Sequence, residues 1–318
     1  MSNYVKLAVI GMSNPVVPNE DPDNPDVEYI KDFFGERLSK VLPQNPDLII
    51  FPEVCDLSYH FLESSMNRRE YIARRGDAIL DYFKDVAKKH NCHIVYNSFI
   101  VKDDGTMRNA TRLIGRDGEI HGIYEKNHPT FGEIAHGILP GADAAVLECD
   151  FGTATGVTCF DLNFDEIRER CHAKKPRLVL FCSQYHGELM RNAFAYETRA
   201  YFVACCPGHY LASSVISPLG EEIANNVRIN PPIIVKTVNL DYAVVHRDEN
   251  EEKLRAAKAK YGAAITVTAP DELGACMITS ESSDFTAEDI IAEFKMETID
   301  EYLEGLETNL EDTADFWR

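Results

Sequence analysis

Gly156-Val157-Thr158-Cys159-Phe160-Asp161-Leu162-Asn163-Phe164 reads as a buried strand that turns into a helix at a cysteine. A thiol at that junction stands on a rigid element beside the first free N–H groups of a helix, which favour a thiolate and can hydrogen-bond an oxyanion. Free cysteines are also among the most buried residue types and mostly pack inertly. One cysteine in one turn therefore does not assign a nucleophile, and the residues upstream have to decide it.

The surrounding chain has an ordinary globular composition. Its 318 residues, 45% of them hydrophobic, are enough for a substantial core in one or two domains. No run of about 18 apolar residues occurs, and Met1-Ser2-Asn3-Tyr4-Val5-Lys6 lacks a signal-type apolar region, so a soluble, cytoplasmic protein is expected. Nine cysteines, an odd number scattered through apolar runs, suit reduced thiols better than a disulfide framework. In such a compartment Asn109-Ala110-Thr111 is not a glycosylation acceptor. The net charge of −20 disfavours nucleic acid and anionic membrane as partners. Over half of that excess lies in residues 281–318, where thirteen acids face Lys295 and Arg318.

Taken in order, the chain alternates strand-like and helix-like segments. Val5 to Met12 reads as a strand, Val27 to Leu42 as a helix ending before Pro43, and Leu48 to Phe51 as a buried strand broken by Pro52-Glu53. Arg69 to His90 follows as one long helix, then His93 to Ile100 as a strand. Asp117-Gly118 marks a hairpin turn between Thr111–Ile114 and Glu119–Tyr124, which delivers Lys126 at its far end. Ala144 to Cys149 and Thr153 to Thr158 are strands, the second ending at Cys159. Asp165 to Cys171 and Glu188 to Thr198 are helices alternating with strands at Leu178–Cys182 and Tyr201–Cys205. Ser213–Ser217 and Ile233–Leu240 are further strands, Glu251–Tyr261 a helix, and Thr286–Leu306 an amphipathic helix. No linker divides the chain. The expected organisation is one α/β domain over residues 1–280 and an acidic helical extension over 281–318.

Three polar residues thus fall at element ends: Glu53, Lys126 and Cys159. Phe51-Pro52-Glu53, Tyr124-Glu125-Lys126-Asn127-His128-Pro129 and Gly156-Val157-Thr158-Cys159-Phe160-Asp161, in this order and spacing, closely resemble the three catalytic motifs of the nitrilase superfamily of carbon–nitrogen hydrolases. Pro140-Gly141, Ala195-Tyr196-Glu197 and Ser213 to Gly220 resemble the family's later motifs, so the likeness extends over most of the chain. The resemblance implies a four-layer αββα sandwich and a Glu–Lys–Cys triad acting without cofactor or metal. It implies Glu53 as base, Lys126 and the Phe160 N–H as oxyanion stabilisers, and Cys159 as nucleophile. Glu133 takes the position of the family's accessory carboxylate.

A thiol with a pKa of about 8.5 is only slightly ionised at neutral pH, so a neighbouring base has to take its proton during attack. Asp161 suits a cap or brace of the turn. Tyr185 and His186, after the strand at Leu178–Cys182, are candidate pocket-mouth residues for substrate. Cys205-Cys206-Pro207-Gly208-His209 lacks the four spaced ligands of a structural zinc. Cys55 stands close enough to Glu53 to compete for thiol reagents. The expected reaction is cleavage of a small linear amide through a Cys159 thioester, releasing ammonia or an amine. An N-carbamoyl amine hydrolase or nitrilase, and a catalytically silent scaffold of the same fold, are the alternatives. Asn163 stands where amidase-like branches carry arginine, which removes one cation for a substrate carboxylate. The amphipathic tail and the helix at Asp165–Cys171 suggest a homodimer or larger homo-oligomer.

Overall fold

In the computed structural model, residues 2–18, 26–58, 61, 68–208, 211–227, 231–270 and 273–314 are described. The chain divides into two compact units, one of Val5–Thr237 and one of Met1–Tyr4 with Val238–Arg318.

The first unit is built on two sheets. Strands β1 (Tyr4–Ile10), β2 (Leu48–Ile50), β3 (His93–Val101), β4 (Met107–Ile114), β5 (Ile120–Glu125) and β12 (Ile233–Asn239) form one, in the order β12-β1-β2-β3-β4-β5. Strands β6 (Val146–Cys149), β7 (Gly152–Thr158), β8 (Leu178–Cys182), β9 (Tyr201–Cys205), β10 (Ser214–Ile216) and β11 (Glu222–Asn225) form the other, in the order β11-β10-β9-β8-β7-β6. The centre of each sheet is parallel: β1, β2 and β3 in the first, β7, β8 and β9 in the second. Strands buried on both faces read as continuous apolar runs, which is why Leu48–Phe51 and Leu178–Cys182 stand out in the sequence.

Helices cover one face of each sheet. In α1 (Val27–Val41), Ile30, Phe34, Leu38 and Val41 form the buried stripe, and Asp26 caps the start by accepting from the Tyr29 N–H at 2.9 Å. Helix α3 (Ala78–His90) adds Ile79, Leu80, Phe83, Val86 and Ala87. These residues close on Ala8, Ile10, Ile49, Phe51, Ile94 and Tyr96, one alternate set of the strands. Phe34, Phe51 and Phe83 meet with ring centroids 4.8–5.2 Å apart, each burial worth roughly 1.5–3 kcal/mol. On the second sheet, α5 (Asp165–Ala173) and α6 (Met190–Thr198) bring Ile167, Cys171, Phe194 and Ala195 onto Val157, Val179, Phe181 and Phe202.

The other faces of the two sheets meet each other. Thr111 on β4 and Thr158 on β7 place their hydroxyls 3.2 Å apart, and the Cys205 thiol lies 3.4 Å from the carbonyls of both Ile10 and Ile50. Gly156 marks one close approach, since a Cβ there would lie 2.6 Å from the Cβ of Tyr124 on β5. This is the αββα sandwich that the motifs imply.

Two helical readings change. The expected helix 69–90 is two, α2 (Arg68–Arg75) and α3, because Gly76 turns into the left-handed region at φ 57°. The tail also holds two helices, α8 (Ala287–Phe294) and α9 (Ile299–Ala314), parted where Lys295 takes φ 49°. The second unit adds a sheet that the sequence reading lacks: β13 (Tyr242–His246), β14 (Ile265–Thr268) and β15 (Ala275–Ser280), in the order β13-β15-β14. Helix α7 (Arg247–Tyr261), α8 and this sheet share a core of Val245, Leu254, Ile265, Cys276, Ile278 and Ile290. The division thus falls at Thr237–Val238, and residue 280, where the sequence reading ends its domain, closes a strand of the second unit.

Candidate active site

Glu53, Lys126 and Cys159 each follow the C-terminal end of a strand, β2, β5 and β7 respectively. All three side chains are buried. Two of these strand ends turn through backbone that L-residues rarely adopt: Val54 has φ 43° and Cys159 has φ 49°. A β-branched residue in that region is an outlier, held here because its N–H donates to the Asn97 side-chain oxygen at 2.7 Å. Cys159 opens a 3-10 turn, Cys159–Asn163, ahead of α5, rather than the α-helix itself. Phe160 lies in the first turn, where helix starts leave N–H groups without intrahelical partners.

The Lys126 ammonium is bracketed by carboxylates. Its Nζ donates to Glu53 Oε1 at 2.9 Å and to Glu133 Oε2 at 2.7 Å. Burial alone would lower its pKa, but Glu53, the Cys159 sulfur and Glu133 outweigh that and hold it above the ordinary lysine value. Glu133, expected in a loop, lies in the short helix α4 (Phe131–Ala135) as the third residue of a capping box. Thr130 Oγ1 accepts from the Glu133 N–H, and Glu133 Oε2 accepts from the Thr130 N–H at 2.8 Å. Burial pushes Glu133 up, while Lys126, Asn109 and the Thr130 N–H together bring its carboxyl below the usual range.

The Cys159 thiol is pushed well up, first by burial and then by the Glu53 charge, with Lys126 and a hydrogen bond to Ser183 acting the other way. At neutral pH it is a thiol whose proton has to be taken as it reacts. Glu53 Oε2 accepts from the Gln184 N–H at 2.9 Å, and the Gln184 side chain donates back to the Glu53 carbonyl at 2.7 Å. Asp161 braces this end of the site: it accepts from the N–H groups of Asn127 and His128 and from the Tyr124 hydroxyl, at 2.6–3.2 Å. It thereby ties the Cys159 turn to the segment after Lys126.

Tyr185 has its ring 6.3 Å from that of Phe160, and its N–H donates to Ser183 Oγ. His186 is engaged by Arg191, whose Nη2 lies 2.9 Å from Nε2. Burial, then that guanidinium, lowers its pKa. Cys55 is buried with a pKa pushed well above the usual thiol range, so it is a poor competitor for reagents. Cys205 and Cys206 turn their thiols to backbone carbonyls, and His209 lies outside the described residues. Among the described residues no group of three or more His, Cys, Asp or Glu could hold a metal, and no helix is long and apolar enough to cross a membrane.

Sequence reasoning missed Asn109, Asn97, Gln184 and Ser183. Asn97, Asn109 and Thr111 are all fully buried, but β3 and β4 carry other polar residues too, so no local pattern in the sequence marks them.

The profile of the Carbon-nitrogen hydrolase family matches residues 8–247. 2-Oxoglutaramate amidase of Bacillus subtilis (strain 168) is 29% identical over 213 residues, covering 62% of this chain and 78% of that protein. An omega-amidase of Xenopus tropicalis is 23% identical over 203 residues, 57% of this chain and 73% of that protein. An amidase from Nesterenkonia sp. superposes with a TM-score of 0.64 at 17% identity, over 80% of this chain and 96% of that one. A carbon-nitrogen hydrolase from Helicobacter pylori gives 0.62 at 16% identity, over 81% and 93%. With a family match across most of its length, the chain belongs to the carbon–nitrogen hydrolase family.

Proposed function

We propose that the protein hydrolyses a small linear amide through a thioester on Cys159. The observation that carries this reading is the Lys126 ammonium held between Glu53 and Glu133 beside a buried thiol. Two of its three hydrogens are committed to the carboxylates, which leaves the third for an oxyanion. In this reading Glu53 takes the Sγ proton as sulfur attacks the carbonyl carbon, and the π pair moves to oxygen. Lys126 and the Phe160 N–H stabilise that charge. Collapse of the adduct expels the amine with the proton from Glu53, leaving the thioester. Glu53 then deprotonates a water, which releases the carboxylic acid and restores the thiol. Glu133 orients Lys126 throughout.

The test is intact-mass analysis after incubation with a panel of amides, nitriles and N-carbamoyl compounds, with ammonia release measured in parallel. An acyl adduct on the wild type and none on Cys159→Ala is the expected result. If no compound acylates Cys159, and Glu53→Gln leaves its iodoacetamide reactivity unchanged, the hydrolase reading fails and the silent scaffold stands.

A second reading concerns the substrate and is favoured by Arg191. This guanidinium is 3% exposed, its Nη1 and Nη2 contact the Ala212 carbonyl and His186, and among the described residues no carboxylate forms an ion pair with it, Glu222 acting only from a distance. An unpaired buried cation beside the Ser183–His186 segment suits an amide that carries a carboxylate, the class suggested by the names of the amidases this chain is similar to. Arg191→Met should then raise KM for carboxylate-bearing amides by tenfold or more, on the order of the loss of one charged pair, and leave KM for neutral amides unchanged.

A further inference from the structure

Asn109 occupies a position that neither the motifs nor the triad accounts for. It is fully buried on β4, and its one side-chain nitrogen lies 2.8 Å from Glu53 Oε1 and 2.7 Å from Glu133 Oε1. Its orientation follows from a backbone group. The Val54 N–H can only donate, so the atom of Asn97 that meets it at 2.7 Å is the oxygen. Asn97 then presents its nitrogen to Thr111 Oγ1 at 2.8 Å and to Asn109 Oδ1 at 3.0 Å. Asn109 is thereby obliged to turn its NH2 to the carboxylates, one hydrogen to each.

Counting acceptor sites on Glu53 gives the consequence. Oε1 takes a hydrogen from Asn109 and another from Lys126, which fills its two lone pairs. Oε2 accepts the Gln184 N–H, and no other nitrogen or hydroxyl donor among the described residues reaches it, so one lone pair stays open to the thiol. A proton placed on Oε1 would displace a donor; one placed on Oε2 displaces none.

Resting on the hydrolase reading above, we propose that Asn109 is a positioning residue that assigns the proton of Cys159 to Glu53 Oε2 and keeps Oε1 as the anchor for Lys126. In the reaction the S–H bond breaks and an O–H bond forms on Oε2 while the S–C bond forms. Glu133, bridged to Glu53 through the same amide, takes no proton from the thiol.

The test is the rate of iodoacetamide alkylation at Cys159 against pH, followed by peptide mass. Sulfur displaces iodide, so no substrate need be known. The titratable groups around Glu53 are Lys126, Cys159, and the buried thiols Cys182 and Cys206, with Glu133 beyond Asn109. In Asn109→Ala the Glu53 carboxylate loses a hydrogen bond that favours its charged form, so the acid limb of the profile should move up by about one pH unit. Asn97→Ser touches neither carboxylate but frees the Asn109 amide to rotate, at the cost of the Val54 N–H bond as well, and should move the limb the same way by less. A purely structural role would slow alkylation equally at every pH and leave the limb in place. An unmoved limb in both variants, with the limb abolished by Glu53→Gln, overturns this inference alone. No effect of Glu53→Gln also overturns this inference, and the hydrolase reading falls with it only when no compound acylates Cys159.

Discussion

Cys159 carries its side chain from left-handed backbone, a conformation that costs an L-residue roughly 1–2 kcal/mol and glycine almost nothing. Cys159→Gly should therefore be inactive yet about 0.5–1 kcal/mol more stable than the equally inactive Cys159→Ala in urea unfolding, the strain relief outweighing the entropy of glycine. Equal stabilities would show that the turn imposes no strain on its first residue. Lys126 permits a sharper test. Lys126→Met leaves Glu53 and Glu133 buried without a cation and should cost about 3–5 kcal/mol at pH 7.

The pH dependence reverses sign in that variant. In the wild type Glu133 sits below the usual carboxylate range, so its contribution is present above the unfolded-state value and is lost as pH falls through the folded one. Without the ammonium its folded pKa rises above the unfolded one, so the variant should lose stability as pH rises from 5 to 8. Urea midpoints at the two pH values decide this, and a deficit independent of pH would contradict it. At this scale the sequence is informative where a polar residue ends a strand, as at Glu53, Lys126 and Cys159, which the fold places after β2, β5 and β7. It is mute for Asn109 and Gln184, because a neutral amide inside a strand has no local pattern. Asn109 shows its importance only when β4 is set between Glu53 and Glu133.

Among the elements, β5 and β7 bear a close constraint. Gly156 faces Tyr124, and Tyr124 in turn donates to Asp161, so the spacing of the two sheets and the bracing of the nucleophile turn share a residue. Gly156→Ala should cost about 1–3 kcal/mol by overpacking, seen as a lowered urea midpoint. An unchanged midpoint would mean that the sheets part without penalty. Element boundaries were legible where apolar period and capping agree, as in α1. They failed across Gly76, because Ile72 and Ile79 keep a seven-residue spacing through the break and periodicity cannot register one left-handed residue. They failed again at Lys295, where Thr298 restarts the chain by capping α9 through Glu301. The strands β13, β14 and β15 were invisible because they are short and pair with partners that no local pattern marks, Tyr242 with Thr279 and Ile265 with Ser280, so only pairing reveals them.

At the scale of the whole molecule, the α/β class was readable because fully buried parallel strands leave long apolar runs, whereas the two-sheet sandwich came only from the resemblance of the three motifs. The division at Thr237 was not, because the chain passes it inside a strand, β12, with no change in composition. Charge belongs to this scale too, the formal −20 being concentrated beyond residue 280. In α9, Leu303 and Leu306 stay about half exposed on an otherwise acidic helix. We expect self-association: sedimentation velocity at micromolar concentration should give a dimer or larger species at physiological salt. A single monomeric boundary would remove it.

The capping box at Thr130 has a bearing on how α4 could be redesigned. Glu133 is at once the third residue of α4 and an ion partner of Lys126, whereas Phe131 and Ile134 on the same helix stand exposed. A library over 131 and 134 therefore varies exposed side chains of this helix at little risk to the charged centre. One that shifts the three-residue spacing from Thr130 to Glu133, by insertion or deletion, detaches the carboxylate from the ammonium. This helix tolerates changes of side chain and not changes of length.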